Sequence, residues 1–172
     1  MKTFAILGAA LAFATLTIDT ADARGGRFVR ENPAGGVTAG AAFDRTGPEG
    51  GRRAGARGVV TDGEGNGAGA SGSCAEGERG RGCRGAVTTW SADGTVDRKS
   101  GFKAEGANGG TAESNGEFHR NADGTYAGGR TTTATGENGT YNANTTYDST
   151  NGATRTVTCT DAAGAVIACP TR

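Results

Sequence analysis

Hydrophobic and polar positions alternate in the second half of the chain, and no stretch after residue 23 has the apolar period of an amphipathic helix. The alternation is clearest near the C-terminus, where one side of a predicted strand carries only threonine. That side is Thr154, Thr156, Thr158 and Thr160, and the opposite side is Arg155, Val157 and Cys159. The pattern predicts an all-β protein with negligible helix in the mature chain.

The longest apolar run lies at the N-terminus, from about Phe4 to Leu16. It follows Met1-Lys2 and precedes a more polar stretch that closes with Ala21-Asp22-Ala23, which is the order of a secretory signal peptide. About 13 apolar residues are too few to cross a bilayer of about 30 Å as a helix. We therefore predict a signal peptide at 1–23, cleavage after Ala23, and a secreted or periplasmic mature protein without a membrane span.

A turn dipeptide recurs at a fixed step in the second half of the chain. Asp-Gly and Asn-Gly tolerate the positive φ that two-residue hairpin turns need. The five dipeptides are Asp93-Gly94, Asn108-Gly109, Asp123-Gly124, Asn138-Gly139 and Asn151-Gly152. The first four are equally spaced and the fifth follows slightly sooner, which indicates an internal repeat.

Two geometries fit a repeat unit of about 15 residues. Each unit is either one long strand, in an antiparallel meander of about five to seven strands, or a short hairpin that turns again at its midpoint. The later units lack a turn dipeptide at the midpoint. This favours long strands in a thin sheet, with Gly101 and Gly116 as bulges or bends.

Composition changes near residue 86. Residues 24–86 hold 19 Gly, ten Arg and three Thr, whereas residues 87–172 hold 13 Gly, 18 Thr and six aromatic residues. Thr and aromatic residues suit a half-buried pleated surface, and Gly and Arg without apolar periodicity are typical of a solvated segment. The sequence therefore predicts a Gly/Arg-rich, largely disordered arm at 24–86 and a Thr/Gly-rich β-repeat domain at 87–172.

Large apolar side chains are scarce after residue 23, and none of them is a leucine. A sheet with so few must be thin, one-sided or completed by another copy. Two apolar stretches of the predicted arm could add as donor strands to the edge of a neighbouring sheet. Their principal residues are Val37 and Phe43 in the first and Val59 and Val60 in the second.

Four cysteines in an exported chain indicate a disulfide framework. Closing a short loop costs the least entropy, so the pairs Cys74 with Cys83 and Cys159 with Cys169 are favoured over the other connectivities. Zinc is disfavoured because neither pair has the C-x2-C spacing.

No catalytic or cofactor-binding constellation is visible in the sequence. His119 is the single histidine, and alternation places it opposite Phe118 as a solvated strand residue. Acidic residues lie at turns or singly on strands, without a pairing suited to glycoside hydrolysis. The arginines of the predicted arm are interspersed with acids, so we expect no nucleic-acid binding. We also expect no enzymatic activity, cofactor or metal.

These features favour a secreted, non-enzymatic structural or adhesive protein. One form is a self-associating fibre or matrix subunit, in which the partner is another copy of the chain. The alternative is a monomeric cell-envelope module that presents Thr, Tyr and Trp90 to a glycan or other envelope polymer.

Overall fold

The computed structural model describes residues 24–169, so the predicted signal peptide at 1–23 lies outside the described residues. These residues form one open sheet of eleven antiparallel strands in chain order, without a helix. The strands are β1 (Arg24–Glu31), β2 (Val37–Thr46), β3 (Arg52–Thr61), β4 (Gly67–Gly77), β5 (Gly80–Trp90), β6 (Val96–Gly106), β7 (Thr111–Arg120), β8 (Tyr126–Gly136), β9 (Gly139–Asp148), β10 (Gly152–Thr160) and β11 (Val166–Ile167). The predicted all-β meander is confirmed.

Turn glycines divide the sheet at a regular step. The glycine of each dipeptide identified in the sequence has positive φ and lies in a turn or at the first residue of a strand. These are Gly94, Gly109, Gly124, Gly139 and Gly152. In the first half, Gly35, Gly50, Gly65 and Gly80 also have positive φ and follow one another at the same step. The repeat therefore begins at the first turn of the sheet.

The expectation of a largely disordered arm at 24–86 is wrong. That segment forms β1 to β4 and most of β5, and each of β2 to β5 pairs with a neighbour on both sides. Small side chains do not prevent a strand from forming when both of its edges satisfy backbone hydrogen bonds. Amino-acid composition does not reveal this stabilisation, because it reports side chains and not the backbone hydrogen bonds between paired strands.

The proposed donor segments are inner strands. Val37 and Phe43 lie in β2, and Val59 and Val60 lie in β3. Both strands already pair on each side, so neither has an edge free to add to another sheet. The free edge of the N-terminal half belongs to β1 instead.

The strands run without bulges. The registers of β5 with β6, β6 with β7 and β7 with β8 are continuous through Gly101 and Gly116, so the bulges expected there are absent. The long-strand geometry is correct. The alternation expected in β10 is also present, because Thr154, Thr156 and Thr158 pair with residues of one face of β9.

The sheet is a single layer with almost no core. Within residues 24–169 the side chains that are almost fully buried are Ala143, Cys159 and Ser114. Many large apolar side chains remain exposed, among them Phe28 at 53% and Val29 at 73%. No second layer of described residues covers either face, so the strands are held mainly by their ladders and by cross-strand contacts.

Aromatic rings pack on glycines of the adjacent strand. Four such pairs are direct cross-strand partners, and in each a Cβ added to the glycine would collide with the ring. The pairs are Phe28 on Gly40, Phe43 on Gly55, Trp90 on Gly67 and Tyr147 on Gly128. Covering a strand glycine with a ring shields its backbone and gives the ring an apolar surface. Much of the glycine content therefore serves side-chain packing within one layer.

Two disulfides close local loops, as expected from the sequence. Cys74 bonds to Cys83 across β4 and β5, where the two residues are direct partners in the register. Cys159 bonds to Cys169, which fastens the segment after β10 back onto that strand. Such bonds persist in oxidising compartments, which is compatible with an extracellular or periplasmic location.

Candidate functional site

The two faces of the sheet differ in charge. Residues directly opposite in an antiparallel ladder share a face and neighbours along a strand alternate, so the continuous registers assign every strand residue to one side. One side, here called the arginine face, carries nine arginines: Arg27, Arg45, Arg53, Arg57, Arg84, Arg98, Arg120, Arg130 and Arg155. Its single strand carboxylate is Glu31.

The opposite side, here called the mixed-charge face, has nearly balanced charge. Its basic residues are Arg24, Arg30, Arg52, Arg81, Lys99 and Lys103, and its acidic residues are Asp44, Glu76, Asp97, Glu105, Glu113, Glu117 and Asp148. The remaining acidic residues of the described part lie in turns at the two ends of the strands. A chain with no formal net charge thus has one strongly basic surface.

Ion pairing is confined to the mixed-charge face. Among residues 24–169 the ion pairs are Arg52 with Asp44, Arg81 with Glu105, and His119 with Asp97. All six residues lie on that face, and the hydrogen bond from Arg52 holds the pKa of Asp44 below its usual value. The nine arginines of the opposite face are exposed and have no carboxylate partner among the described residues.

Hydroxyl groups hold several of these arginines against the sheet. Arg130 donates to Ser114 Oγ at 2.9 Å and to Ser100 Oγ at 2.9 Å. Arg84 donates to Ser73 Oγ at 3.2 Å, and Arg98 donates to Thr88 Oγ1 at 2.9 Å. A neutral hydroxyl fixes the direction of a guanidinium without cancelling its charge, and other N–H groups stay free to donate.

A depression of about 740 Å³ lies in the middle of the arginine face. The charged residues that line it are Arg57, Arg84, Arg98 and Arg130. Two aromatic rings also line it, those of Phe43 and Phe102, which are exposed at 36% and 38%. Its volume is within the range of small-ligand pockets, and its lining combines cations, hydroxyls and apolar ring surface.

Aromatic side chains are concentrated on the same face. They are Phe43, Trp90, Phe102, Phe118, Tyr126, Tyr141 and Tyr147, whereas the mixed-charge face carries Phe28. The Phe118 ring lies 6.2 Å from that of Tyr126 and 6.4 Å from that of Tyr147. The arginine face is therefore both basic and aromatic.

A second and larger trough, of about 1350 Å³, crosses β1 to β9. Its lining is mostly glycine, alanine and small polar residues from the middle of the strands. Its charged lining residues are Arg27, Arg57, Lys99, Arg130 and a single acid, Glu117, so Arg57 and Arg130 line both depressions. Most of the other lining residues belong to the mixed-charge face, and the trough follows the positions where side chains are small.

His119 is a solvated strand residue in the structure. Its Nδ1 lies 2.7 Å from Asp97 Oδ1, and its Nε2 lies 2.8 Å from Asn121 Oδ1. The hydrogen bond to Asp97 raises the pKa of His119, and that to Asn121 acts in the same direction. Within the described residues, no three His, Cys, Asp or Glu side chains cluster as a metal site requires.

Turn carboxylates close several of the hairpins. Asp93 accepts from the backbone N–H of Thr95, and Asp123 accepts from both the N–H and the hydroxyl of Thr125. These hydrogen bonds lower the pKa of both aspartates. At the fifth predicted turn, the carboxylate of Asp148 accepts a hydrogen bond from the side-chain amide of Asn151. The side chains of Asp93, Asp123 and Asn151 therefore have partners within their own turns, and these contacts stabilise the hairpins.

Both edges of the sheet have backbone groups without a strand partner among the described residues. β1 pairs only with β2, so its other side is open along its length. β11 covers β10 only at Cys159 and Thr160, which leaves the outer side of residues 152–158 without a strand partner. The edges and the arginine face are different surfaces of one sheet.

No described helix is long and apolar enough to span a membrane. Comparison with protein-family models, with curated proteins and with solved structures found no match. The arginine face was not found by sequence reasoning, because arginines scattered among acids looked solvated. The repeat contained the signal that could have revealed it. Strands two repeat units apart run in the same direction, so Arg27 and Arg57 lie in one row across β1 to β3 and on the same face.

Proposed function

We propose that this protein is a secreted, non-enzymatic structural or adhesive protein whose copies associate through the edges of their sheets. The observation that carries the proposal is a single-layer sheet with both faces exposed and both edges open. The two disulfides and the signal-like sequence at 1–23 support secretion.

Strand addition is the favoured mode of association. An open edge offers a row of backbone N–H and C=O groups that a second strand can satisfy. β1 and β10 run in opposite directions, so β1 of one copy can extend the sheet of another beyond β10 in the same antiparallel sense. The length of β1 is close to that of the free segment 152–158.

Charge at the two edges makes this association dependent on salt. Arg27 on β1 and Arg155 on β10 lie in the same row of cross-strand partners. If β1 of one copy pairs with β10 of the next so that this row continues, Arg27 lies directly opposite Arg155. Like charges directly opposite in a ladder are destabilising. Because salt screens exposed charges, association should strengthen as ionic strength rises.

Sedimentation velocity of the disulfide-bonded mature protein tests the proposal. We expect oligomers that grow with concentration and salt, and weaker association in Val29→Lys, which adds a charge to the edge strand. Val87→Lys is the matched control, because Val87 is also exposed but lies in the inner strand β5. A protein that stays monomeric throughout, or two variants with equal effects, would overturn the proposal.

A monomeric envelope-binding module is the second candidate. The exposed aromatic and basic residues of the arginine face favour it. The two roles are compatible, since association uses edges and binding would use a face. A protein that binds a polymer while remaining monomeric would favour the second role alone.

A further inference from the structure

We propose that the arginine face binds an acidic polysaccharide, a glycan with carboxylate or sulfate groups, in the depression lined by Arg57, Arg84, Arg98 and Arg130. This inference rests on the proposed extracellular adhesive role and names its partner. The polymer lies across the strands, and the edges of the sheet remain free.

Unpaired charge is the first argument. Each ion pair of the described residues lies on the mixed-charge face, so the guanidinium groups of the arginine face have no carboxylate to displace. Guanidinium is suited to planar oxyanions, because its N–H groups match the two oxygens of a carboxylate or sulfate. A face with nine such groups and one strand carboxylate selects an anion with many charges.

Preorganisation is the second argument. Arg84, Arg98 and Arg130 each donate to a hydroxyl on a neighbouring residue of the same face. Their side chains have therefore lost part of their freedom before a ligand arrives, which reduces the entropy cost of binding. The ladder fixes the strands beneath them.

Spacing is the third argument. Arg57 on β3 and Arg130 on β8 lie in one row across the sheet, and Arg84 on β5 and Arg98 on β6 lie two residues to either side of that row. With strands about 4.8 Å apart and about 3.3 Å per residue along a strand, successive cations are about 12 to 14 Å apart. An extended polyuronate, which carries one carboxylate per sugar, presents every second carboxylate at a comparable step. The exposed rings of Phe43 and Phe102 give the sugar rings apolar surface between the charges.

The direction of the polymer follows from the turns. Acidic residues at the ends of the strands include Glu49, Asp62, Asp93 and Glu137. A polyanion lying along the strands would meet these carboxylates, whereas one lying across the strands stays over the basic middle. The two disulfides are compatible with an oxidising extracellular environment, away from intracellular nucleic acids.

Binding of the full-length mature protein to polyuronate, dextran sulfate, neutral dextran and oligo-dT tests the assignment. Measurements are made at concentrations where sedimentation shows monomer, so that failure of self-association leaves this test intact. We expect binding to the two acidic glycans, none to neutral dextran, and weaker binding to oligo-dT. Affinity should fall as salt rises.

The discriminating variants lie on the same two strands. Arg57→Gln with Arg84→Gln removes two cations from the arginine face, and Arg52→Gln with Arg81→Gln removes two from the mixed-charge face. We expect the first pair to weaken acidic-glycan binding at least tenfold and the second less than twofold. Thermal unfolding of each variant shows that it is folded, and the double Arg→Lys variant at 57 and 84 should fall between, because charge remains but the paired donors are lost.

Three results would overturn the assignment. Equal weakening by both glutamine pairs would mean that net charge, and not the arginine face, governs binding. Oligo-dT binding as tight as polyuronate binding would make nucleic acid the better partner. Binding to neutral dextran equal to that of the acidic glycans would remove the role of charge altogether.

Discussion

The substitution Gly67→Ala tests whether the aromatic rings of this sheet depend on the glycines beneath them. Gly67 is the direct cross-strand partner of Trp90, and an added Cβ would overlap the indole atoms Cζ2 and Cε2. It would also lie 2.8 Å from the carbonyl oxygen of Val60, a backbone atom that cannot rotate away. The ring must leave its place, and β3 must shift.

The expected cost follows from two opposed effects. Overfilling a packed site costs about 1 to 3 kcal/mol, whereas replacing glycine by alanine in a strand recovers about 0.5 to 1 kcal/mol of backbone entropy. The free energy of unfolding should therefore fall by about 0 to 2.5 kcal/mol relative to the natural chain, and by about 1 to 3 kcal/mol relative to a glycine-to-alanine change that meets no ring. For a domain of this size each kcal/mol lowers the melting temperature by about 2 to 4 °C.

Trp90 is the single tryptophan and reports its own displacement. We expect the fluorescence emission of Gly67→Ala to move to longer wavelength, because the half-buried indole becomes hydrated. Urea unfolding of the same variant should show the lower free energy of unfolding. Gly58→Ala is the matched control, because it lies on inner strand β3 and its added Cβ comes no closer than 3.6 Å to Ala39 O. A Gly67→Ala protein as stable as this control, with unchanged emission, would refute the packing argument.

Further predictions concern the disulfide, a turn and the histidine. Replacing both Cys74 and Cys83 by Ser should lower the free energy of urea unfolding by about 2.5 to 3 kcal/mol, the loop entropy of a closure of about ten residues; an unchanged midpoint would contradict this. Gly94→Ala, at φ 93°, should lower it by about 1 to 2 kcal/mol through backbone strain, whereas Gly136→Ala should not. An NMR titration should give His119 a pKa above 6.5, and its stabilising effect should be complete below pH 6.5 and lost as pH rises through the folded pKa. The variant Asp97→Asn should return that pKa towards its ordinary value.

The fold of the second half could be predicted because its turns carry a recognisable signal. Asp-Gly and Asn-Gly mark hairpins locally, so the register follows from the spacing. In the first half the glycines at the same step are preceded by residues without that signature, such as Glu49 before Gly50 and Arg79 before Gly80. The Asp-Gly and Asn-Gly dipeptides there, Asp62-Gly63 and Asn66-Gly67, lie two residues to either side of the step, which falls at Gly65. The side chain that shapes the turn there stands further upstream, as Asn32 accepts from the N–H of Ala34 and Asp62 from that of Glu64.

The candidate site could not be predicted because it depends on pairing between strands. Arg57 and Arg84 are distant in sequence, with the whole of β4 between them, and only the registers of β3 to β5 place both on one face. The net charge of a short sequence window adds each arginine to acidic residues that lie on the other face or in turns, so the basic face does not show in it. Alternation within one strand gives the side of a residue relative to its neighbours, but not the side that distant strands share.

Hydrogen exchange tests the central claim most directly, that one sheet runs from Arg24 to Ile167 and includes the glycine-rich half. Exchange resolved to single amides should show inner strands β2 to β4 protected to a similar degree as β6 to β8, since all have ladder bonds on both sides. Turn residues and the open side of β1 should exchange faster. Unprotected amides throughout residues 37–77, beside a protected second half, would contradict the single sheet and with it the arginine face.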